Sequence, residues 1–169
     1  MDPSRAAELT DLIQRLDAEI PIERGLLILV DQAMTHVSSG RARNLERLEF
    51  LGDAVLRLAA TEFIDRHHAD LTVGACSNLR AQLVSDRWLA ELAAELDLDE
   101  LILQGTATAA DPTARATVRA ECCEALVGAV YLAWGGADGG LHAVRQWLLP
   151  AGSAHRVPAQ QRAPLASGR

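Results

Sequence analysis

Residues 44–56 concentrate negative charge in a stretch that is otherwise largely apolar. The carboxylates of Glu46, Glu49 and Asp53 are spaced i, i+3 and i+7, so on an α-helix they share one face. Because like charges at such spacings repel, the pattern predicts either a solvated acidic stripe or a site for a hard divalent cation such as Mg²⁺, which prefers oxygen ligands. The helix also has a predicted apolar face, formed by Leu48, Leu51, Val55 and Leu58.

A second acidic helix is predicted over residues 118–132, which are also largely apolar. Glu121 and Glu124 are spaced i, i+3 and therefore share one face of that helix. Small residues on it would allow close approach of another helix: these are Ala125, Gly128 and Ala129. We expect the two acidic faces to meet in one cleft, an arrangement that builds metal sites in helical proteins.

Four stretches resemble, in the same order, the signatures of the ribonuclease III nuclease domain. They are THVS (35–38), NLERLEFLGDAVL (44–56), SNLRAQLVSDRWLA (77–90) and CEALVGAVYL (123–132), within a similarity that runs over roughly residues 26–149. The resemblance implies an all-α fold, the helical bundle of the ribonuclease III endonuclease domain. It also implies a Mg²⁺-dependent endoribonuclease that cleaves double-stranded RNA to 5′-phosphate and 3′-hydroxyl ends, in the processing of ribosomal or other structured RNA.

The same resemblance assigns roles to the five carboxylates. The metal ligands would be Glu49, Glu121 and Glu124. Asp53 and Glu124 would be catalytic, with Asp53 orienting the attacking water, and Glu46 would be an accessory acidic residue. The cofactor would be Mg²⁺, with Mn²⁺ as a substitute, and the cation would lower the pKa of water and stabilise charge on the phosphate.

Two positions depart from the family's pattern. Glu121 stands where the family usually has Asp, so its carboxylate lies one methylene further from the backbone, whereas Mg²⁺ demands near-ideal octahedral geometry. Val73 stands where many relatives have an acidic residue, and it cannot hold a metal. These departures, with the lack of an RNA-binding domain, leave open an alternative function, that of a weakened homologue that binds structured RNA or assists ribosome assembly, whereas intact Glu49, Asp53 and Glu124 favour the nuclease. A helical metal protein unrelated to RNA would leave the ordered four-stretch match unexplained.

The resemblance also implies partners, namely double-stranded RNA and a second copy of the chain. Phe50 matches the aromatic knob of the family's homodimer, whereas the residues alone equally allow core packing. Candidate RNA contacts are Arg43, Arg47, Arg80 and Arg87, although each also fits a solvated or ion-paired role. The net charge of −7 opposes phosphate binding in general, but bound Mg²⁺ would reverse the local potential at the acidic cleft.

The chain divides into three predicted regions: an N-terminal helix and lead-in (1–24), the nuclease domain (25–150) and a disordered basic tail (151–169). The tail has no apolar periodicity. Family members usually carry a double-stranded-RNA-binding domain at this point, for which the tail is too short. We therefore expect RNA affinity to come from the nuclease domain, the tail or an RNA-binding partner protein.

Composition excludes several other classes. Three cysteines, two of them adjacent, do not form a disulfide framework and lack the spacing of a zinc site, so we expect small buried hydrophobes. No apolar run approaches the ~20 residues of a membrane span, and the polar N-terminus is unlike a signal peptide. These features predict a cytoplasmic protein without a membrane partner.

Local signals predict the limits of the helices. An amphipathic helix is expected over residues 3–18, the first acidic helix is expected to run to about residue 67, and the last helix is expected to end at residue 150. Residues 105–117, rich in Ala and Thr, are predicted to form a loop. Predicted N-caps are Asn44, Thr72, and either Ser85 or Asp86.

Overall fold

The computed structural model describes residues 1–16 and 24–148. That part of the chain contains eight α-helices, which are α1 (Pro3–Arg15), α2 (Arg24–Ala33), α3 (Glu46–His67), α4 (Val73–Leu83), α5 (Asp86–Glu95), α6 (Thr106–Ala110), α7 (Pro112–Ala133) and α8 (Gly140–Leu148). Three single 3-10 turns lie at Val37–Ser39, Leu98–Glu100 and Gly136–Asp138. The described residues form no β-strand, and only an isolated bridge joins Thr35 to Leu103. The predicted all-α fold is confirmed.

Helix α7 is the centre of the bundle and packs against α2, α3, α5, α6 and α8. A helix that is apolar on nearly all sides belongs in a core, and α7 buries ten of its 22 residues. Cys122 and Cys123 are among them and are free thiols, as expected for small buried hydrophobes. Burial raises the pKa of both thiols, so both stay protonated.

The backbones of α3 and α7 touch at two glycines. A Cβ atom added to Gly52 would lie 1.8 Å from the carbonyl oxygen of Glu124, and one added to Gly128 would lie 2.2 Å from that of Leu48. No side chain fits in either space, because real Cβ atoms do not approach backbone oxygens so closely. The close approach predicted from the small residues of α7 is thus present, and it needs a glycine on each helix.

The buried face of α3 differs from the predicted one. Leu58 was expected in the core but is 50% exposed. The core stripe runs through Leu48, Gly52, Val55 and Ala59, which are spaced by three or four residues. The prediction was wrong because it placed the centre of the buried face among the apolar side chains. Helix α7 instead packs on Gly52, which has no Cβ, and this turns Leu58 away from the core.

The predicted loop at 105–117 was also wrong, because it contains all of α6 and the first residues of α7. The side chain of Asp111 accepts a hydrogen bond from the backbone N–H of Thr113 at 2.9 Å, and Pro112 occupies the first helical position, where its missing N–H costs nothing. This Asp-Pro pair therefore starts a helix instead of a turn.

Most predicted N-caps are present. Thr72 and Ser85 each accept from the backbone N–H three residues later. Asn44 lies one residue before the N-cap, because α3 begins at Glu46 and Leu45 holds the cap position. The Asn44 side chain still accepts a hydrogen bond from the Glu46 N–H at 3.2 Å. Helix α3 ends at His67, as predicted.

The first helix packs on the same core as the others. Its buried residues are Leu9, Leu12 and Ile13. Arg5 donates to the Asp31 carboxylate at 2.9 Å and to the Leu101 carbonyl at 2.7 Å, which ties α1 to α2 and to the segment after α5. The predicted limits at residues 18 and 150, and the predicted tail 151–169, lie outside the described residues.

Substitution of the contact glycines should disrupt the bundle. Gly52→Ala or Gly128→Ala forces the two helices apart, so we expect a loss of about 3 kcal/mol or more in the free energy of unfolding. Gly74→Ala in α4 is the matched control, since its Cβ would meet only the Thr72 hydroxyl at 4.0 Å. Urea unfolding followed by circular dichroism measures both. Equal stability of Gly52→Ala and Gly74→Ala would contradict the close contact.

Candidate active site

The glycine contact brings the acidic faces of α3 and α7 to one cleft. Gly52 backs onto the carbonyl of Glu124, so the residues that flank this contact on each helix are the carboxylates predicted from the sequence. Helix α3 contributes Glu46, Glu49 and Asp53, and α7 contributes Glu121 and Glu124. Glu46 is exposed, and the other four are partly buried.

Glu49 lies close enough to the other carboxylates for their charges to affect its pKa. Its pKa is raised first by burial and then by the negative charges of Glu121, Glu46 and Asp53. The first of these neighbours comes from α7 and the other two from α3. The two helices therefore contribute to one electrostatic cluster, as the spacing predicted.

Glu124 is perturbed most strongly. Its pKa is raised to about 7, first by burial and then by the charges of Asp53, Glu49 and Asp86, against a lowering effect of Arg57. Asp86 starts α5 and was predicted only as a possible N-cap, so its place beside the cleft comes from the packing of α5 on α7. Burial and the neighbouring carboxylates thus both oppose ionisation of Glu124.

Asp53 already has a cationic partner. The Arg57 Nε donates to its Oδ1 at 2.7 Å, one helical turn away along α3. The i, i+4 spacing of this pair is visible in the sequence, but only the structure places Arg57 beside the cleft. The pair lies at the rim of the cleft, with more than half of the Arg57 side chain exposed.

Glu121 also has a partner that the sequence analysis did not identify. The Nε2 atom of His36 lies 3.1 Å from its Oε2 atom. His36 belongs to the THVS stretch, which marks the family but says nothing about contact with a residue 85 positions later. Only the packing of the loop after α2 against α7 brings them together.

The start of α7 is anchored by a separate ion pair. Arg119 donates through Nε to the Asp99 Oδ1 at 2.7 Å and through Nη2 to the other carboxylate oxygen, and Arg115 adds a third contact. Hydrogen bonds from Arg119 hold the Asp99 pKa below its usual value. This fork ties the turn at Leu98–Glu100 to the helix that carries Glu121.

The donor set suits a hard cation. Carboxylate oxygens are the ligands that Mg²⁺ prefers. Burial and then mutual repulsion raise the pKa of Glu49 and Glu124, and a cation would relieve that repulsion. Within residues 1–16 and 24–148, no three His, Cys, Asp or Glu side chains converge in a metal-binding geometry.

The four arginines predicted to contact RNA differ in their surroundings. Arg87 pairs with Glu91 at 3.0 Å, and Arg80 donates to the Thr61 hydroxyl at 3.2 Å, which joins α4 to α3. The remaining two, Arg43 and Arg47, are exposed near the start of α3 and make no ion pair with the described residues.

Phe50 is 83% exposed, so core packing, the alternative left open above, does not apply. Ala54 and Leu58 follow at intervals of four residues and are exposed as well. The three form an apolar stripe along the outer side of α3. Val73, at the start of α4, is equally exposed at 83% and lies outside this stripe.

Comparison with known proteins agrees with the fold and the sequence signatures. The ribonuclease-III-like family model matches residues 28–151. The chain belongs to the ribonuclease III family. Ribonuclease 3 of Prochlorococcus marinus is 45% identical over 124 residues, which are 73% of this chain and 48% of that protein. Ribonuclease 3 2 of Synechocystis is 40% identical over 148 residues, covering 86% of this chain and 58% of that protein. The chain thus spans about half the length of these relatives.

A solved structure also matches. The nuclease domain of ribonuclease III from Campylobacter jejuni has 31% sequence identity and a TM-score of 0.67, covering 80% of this chain and 95% of that domain. That structure is described as showing flexibility in a region involved in dimer formation. The family resemblance stated from the four stretches is confirmed. Among the helices of the described residues, none is long and apolar enough to cross a membrane.

Neutralising Glu124 should stabilise the metal-free protein at alkaline pH. Because folding raises the Glu124 pKa from 4.5 to about 7, the folded state loses stability as pH rises through this interval, and the loss is complete above it. Glu124→Gln should therefore raise the free energy of unfolding at pH 8 by on the order of 1 kcal/mol, and leave it unchanged at pH 4.

Thermal unfolding in EDTA at both pH values measures this effect. Glu95→Gln, at an exposed position near the end of α5, controls for the change in net charge. A lower melting temperature of Glu124→Gln than of the parent at pH 8 would contradict the crowding of negative charge in the cleft.

Proposed function

We propose that this protein is a divalent-cation-dependent endoribonuclease that cleaves double-stranded RNA and leaves 5′-phosphate and 3′-hydroxyl ends. The observation that carries the proposal is the cleft between α3 and α7, where the contact at Gly52 and Gly128 brings carboxylates from both helices together. Burial and the neighbouring charges raise the pKa of Glu124 there to about 7. Membership of the ribonuclease III family gives this cleft its chemistry.

The cation of choice is Mg²⁺, with Mn²⁺ as a substitute. Glu49, Glu121 and Glu124 would hold it, because they come from both sides of the cleft and two of them have a raised pKa. When bound, the cation lowers the pKa of water and neutralises charge developing on the phosphate. Glu46 is exposed at the edge of the cleft and serves as an accessory acidic group.

Asp53 orients the attacking water in this proposal. Its Oδ1 accepts from Arg57 at 2.7 Å, so one carboxylate oxygen is restrained and the other remains to accept from water. Glu124 is the second catalytic carboxylate, the role that the family resemblance gives it, and the charge of Asp53 reaches it across the cleft.

Phosphate contacts come from the exposed arginines. Arg43 and Arg47 are the first candidates, because they lie beside the start of α3 without an ion pair among the described residues. Arg80 and Arg87 are secondary candidates, since RNA would have to compete with Thr61 and Glu91. With a net charge of −7, binding should be weak and sensitive to salt. We therefore propose that an RNA-binding partner protein adds affinity. The substrate would be structured RNA, such as a ribosomal precursor, and the reaction would take place in the cytoplasm.

A symmetric homodimer would use the apolar stripe of α3. Phe50, Ala54 and Leu58 are exposed on one side of the helix whose other side carries the core. In a two-fold interface the same patch meets itself, so one such stripe on each subunit is enough. Each subunit would then contribute one carboxylate cleft, one for each strand of the duplex.

Removal of the aromatic knob should weaken the dimer. Phe50→Ala deletes the largest exposed apolar side chain of the stripe, and we expect the dimer dissociation constant to rise at least about tenfold. Val73→Ala is the matched control, because Val73 is equally exposed, at 83%, and lies elsewhere. Sedimentation equilibrium measures both. A monomeric parent protein, or equal weakening by both substitutions, would contradict the proposed interface.

The nuclease is tested with long double-stranded RNA, single-stranded RNA and double-stranded DNA, each with Mg²⁺ and with EDTA. We expect cleavage of the double-stranded RNA alone, only with Mg²⁺, and at least about a hundredfold loss for Glu124→Gln but not for Glu95→Gln. Intact RNA at low salt and high protein concentration, together with retained RNA binding, would instead favour the weakened homologue that binds structured RNA.

The effect of the longer side chain at position 121 is tested in the same assay. A higher rate for Glu121→Asp would show that the extra methylene weakens the site. A lower rate would show that the rest of the cleft is adapted to Glu121.

A further inference from the structure

We propose that His36 is a positioning residue that fixes the carboxylate of Glu121 and thereby makes the longer side chain a competent metal ligand. The inference rests on the proposed function, because it takes Glu121 as part of the metal site. It adds a residue from outside both acidic helices.

The contact is short and lies in a shielded place. His36 Nε2 and Glu121 Oε2 are 3.1 Å apart, and only 12% of the His36 side chain and 28% of the Glu121 side chain are exposed. Water competes poorly for a polar contact at such a position. The contact engages one carboxylate oxygen and would leave the other for a cation.

The partners of the other ring nitrogen determine which nitrogen carries the hydrogen. The backbone N–H of Ser38 points at His36 Nδ1 from 3.2 Å. A backbone N–H only donates, so Nδ1 must accept and cannot carry a hydrogen itself. The hydrogen of the neutral imidazole therefore sits on Nε2, the nitrogen that lies beside Glu121.

The Ser38 hydroxyl reinforces this tautomer. Its Oγ accepts from the Gly105 N–H at 2.9 Å and lies 2.7 Å from His36 Nδ1, so it can direct its own hydrogen to that nitrogen. The donors run in one direction, from Gly105 through Ser38 to His36 Nδ1. This direction leaves the hydrogen on Nε2, which lies 3.1 Å from the Glu121 carboxylate.

The imidazole is held by segments that do not belong to α3 or α7. The His36 N–H donates to the Leu103 carbonyl at 2.9 Å. Gly105 packs so closely that an added Cβ would lie 2.7 Å from the Ser38 carbonyl oxygen. Because the loop at Val37–Ser39 and the segment around Gly105 lock each other, His36 presents a fixed donor to Glu121.

A fixed donor matters more for Glu than for Asp. Glu121 has one more rotatable bond than an aspartate, so an unrestrained carboxylate would lose more conformational entropy on binding a cation. The contact with His36 removes part of that freedom in advance. An aspartate carboxylate would lie about one C–C bond, roughly 1.5 Å, closer to its backbone and would not make the same contact.

The test measures Mn²⁺ binding without RNA, from the electron paramagnetic resonance signal of free Mn²⁺. We expect His36→Ala to weaken binding about 10- to 100-fold, the usual effect of losing a residue that orients a metal ligand. His36→Gln should restore affinity to within about threefold, because its amide NH₂ can occupy the place of Nε2–H. Thermal unfolding in EDTA verifies that each variant folds.

A double-mutant cycle separates positioning from general support of the loop. In the Glu121→Asp background, which lacks the contact, His36→Ala should change Mn²⁺ affinity less than about threefold. An equal loss in both backgrounds would overturn the proposal. If Glu124→Gln abolishes Mn²⁺ binding while His36→Ala binds Mn²⁺ as the parent does, the positioning role of His36 is refuted and the metal site is not. If the parent and Glu124→Gln bind equally, the metal site itself is refuted, and this inference with it.

The tautomer gives a readout on the unmodified protein. Long-range proton–nitrogen NMR spectra of the metal-free chain should show a pyridine-like Nδ1 and a pyrrole-like Nε2 for His36. The opposite assignment would overturn the proposal, because Nε2 would then have no hydrogen to donate to Glu121.

Discussion

The contact between α3 and α7 is the constraint on which the rest of the structure depends. Gly52 and Gly128 let two backbones touch where any side chain would collide with a carbonyl oxygen. Close contact at these points fixes the rotation of each helix about its axis, and therefore which residues of each helix turn toward the other. The carboxylates at 49, 53, 121 and 124 share a cleft because the glycines leave the helices no other way to pack.

The resulting cleft opposes stability in the absence of a cation. Burial and neighbouring carboxylates raise the pKa of Glu49 and Glu124, so ionisation of either group near neutral pH weakens folding. The surrounding fold offsets this with local cations and donors: Arg57 pairs with Asp53, and His36 contacts Glu121. Arg119 and Asp99 anchor the start of α7 from outside the cleft. Such a conflict between stability and local charge is expected at functional sites.

Local reasoning succeeded where a single helix carries the information. The spacing of Glu46, Glu49 and Asp53 predicts one acidic face, and the caps at Thr72 and Ser85 predict where helices begin. It failed where a residue's role depends on another segment. Leu58 has an apolar side chain, yet it faces outward because α7 packs on the glycine side of α3. Asp111 and Pro112 read as a turn, although they also fit a helix start.

The sequence by itself determined the helical pattern, the identity of the carboxylates and the family, because periodicity and short signatures are local properties of the chain. Only the tertiary structure decided that Phe50 is exposed, that His36 lies 3.1 Å from Glu121, and that Asp86 lies close enough to raise the Glu124 pKa. The physical reason is the range of the interactions. Hydrogen bonds and charges between distant segments require one exact packing of helices, and no local pattern specifies it.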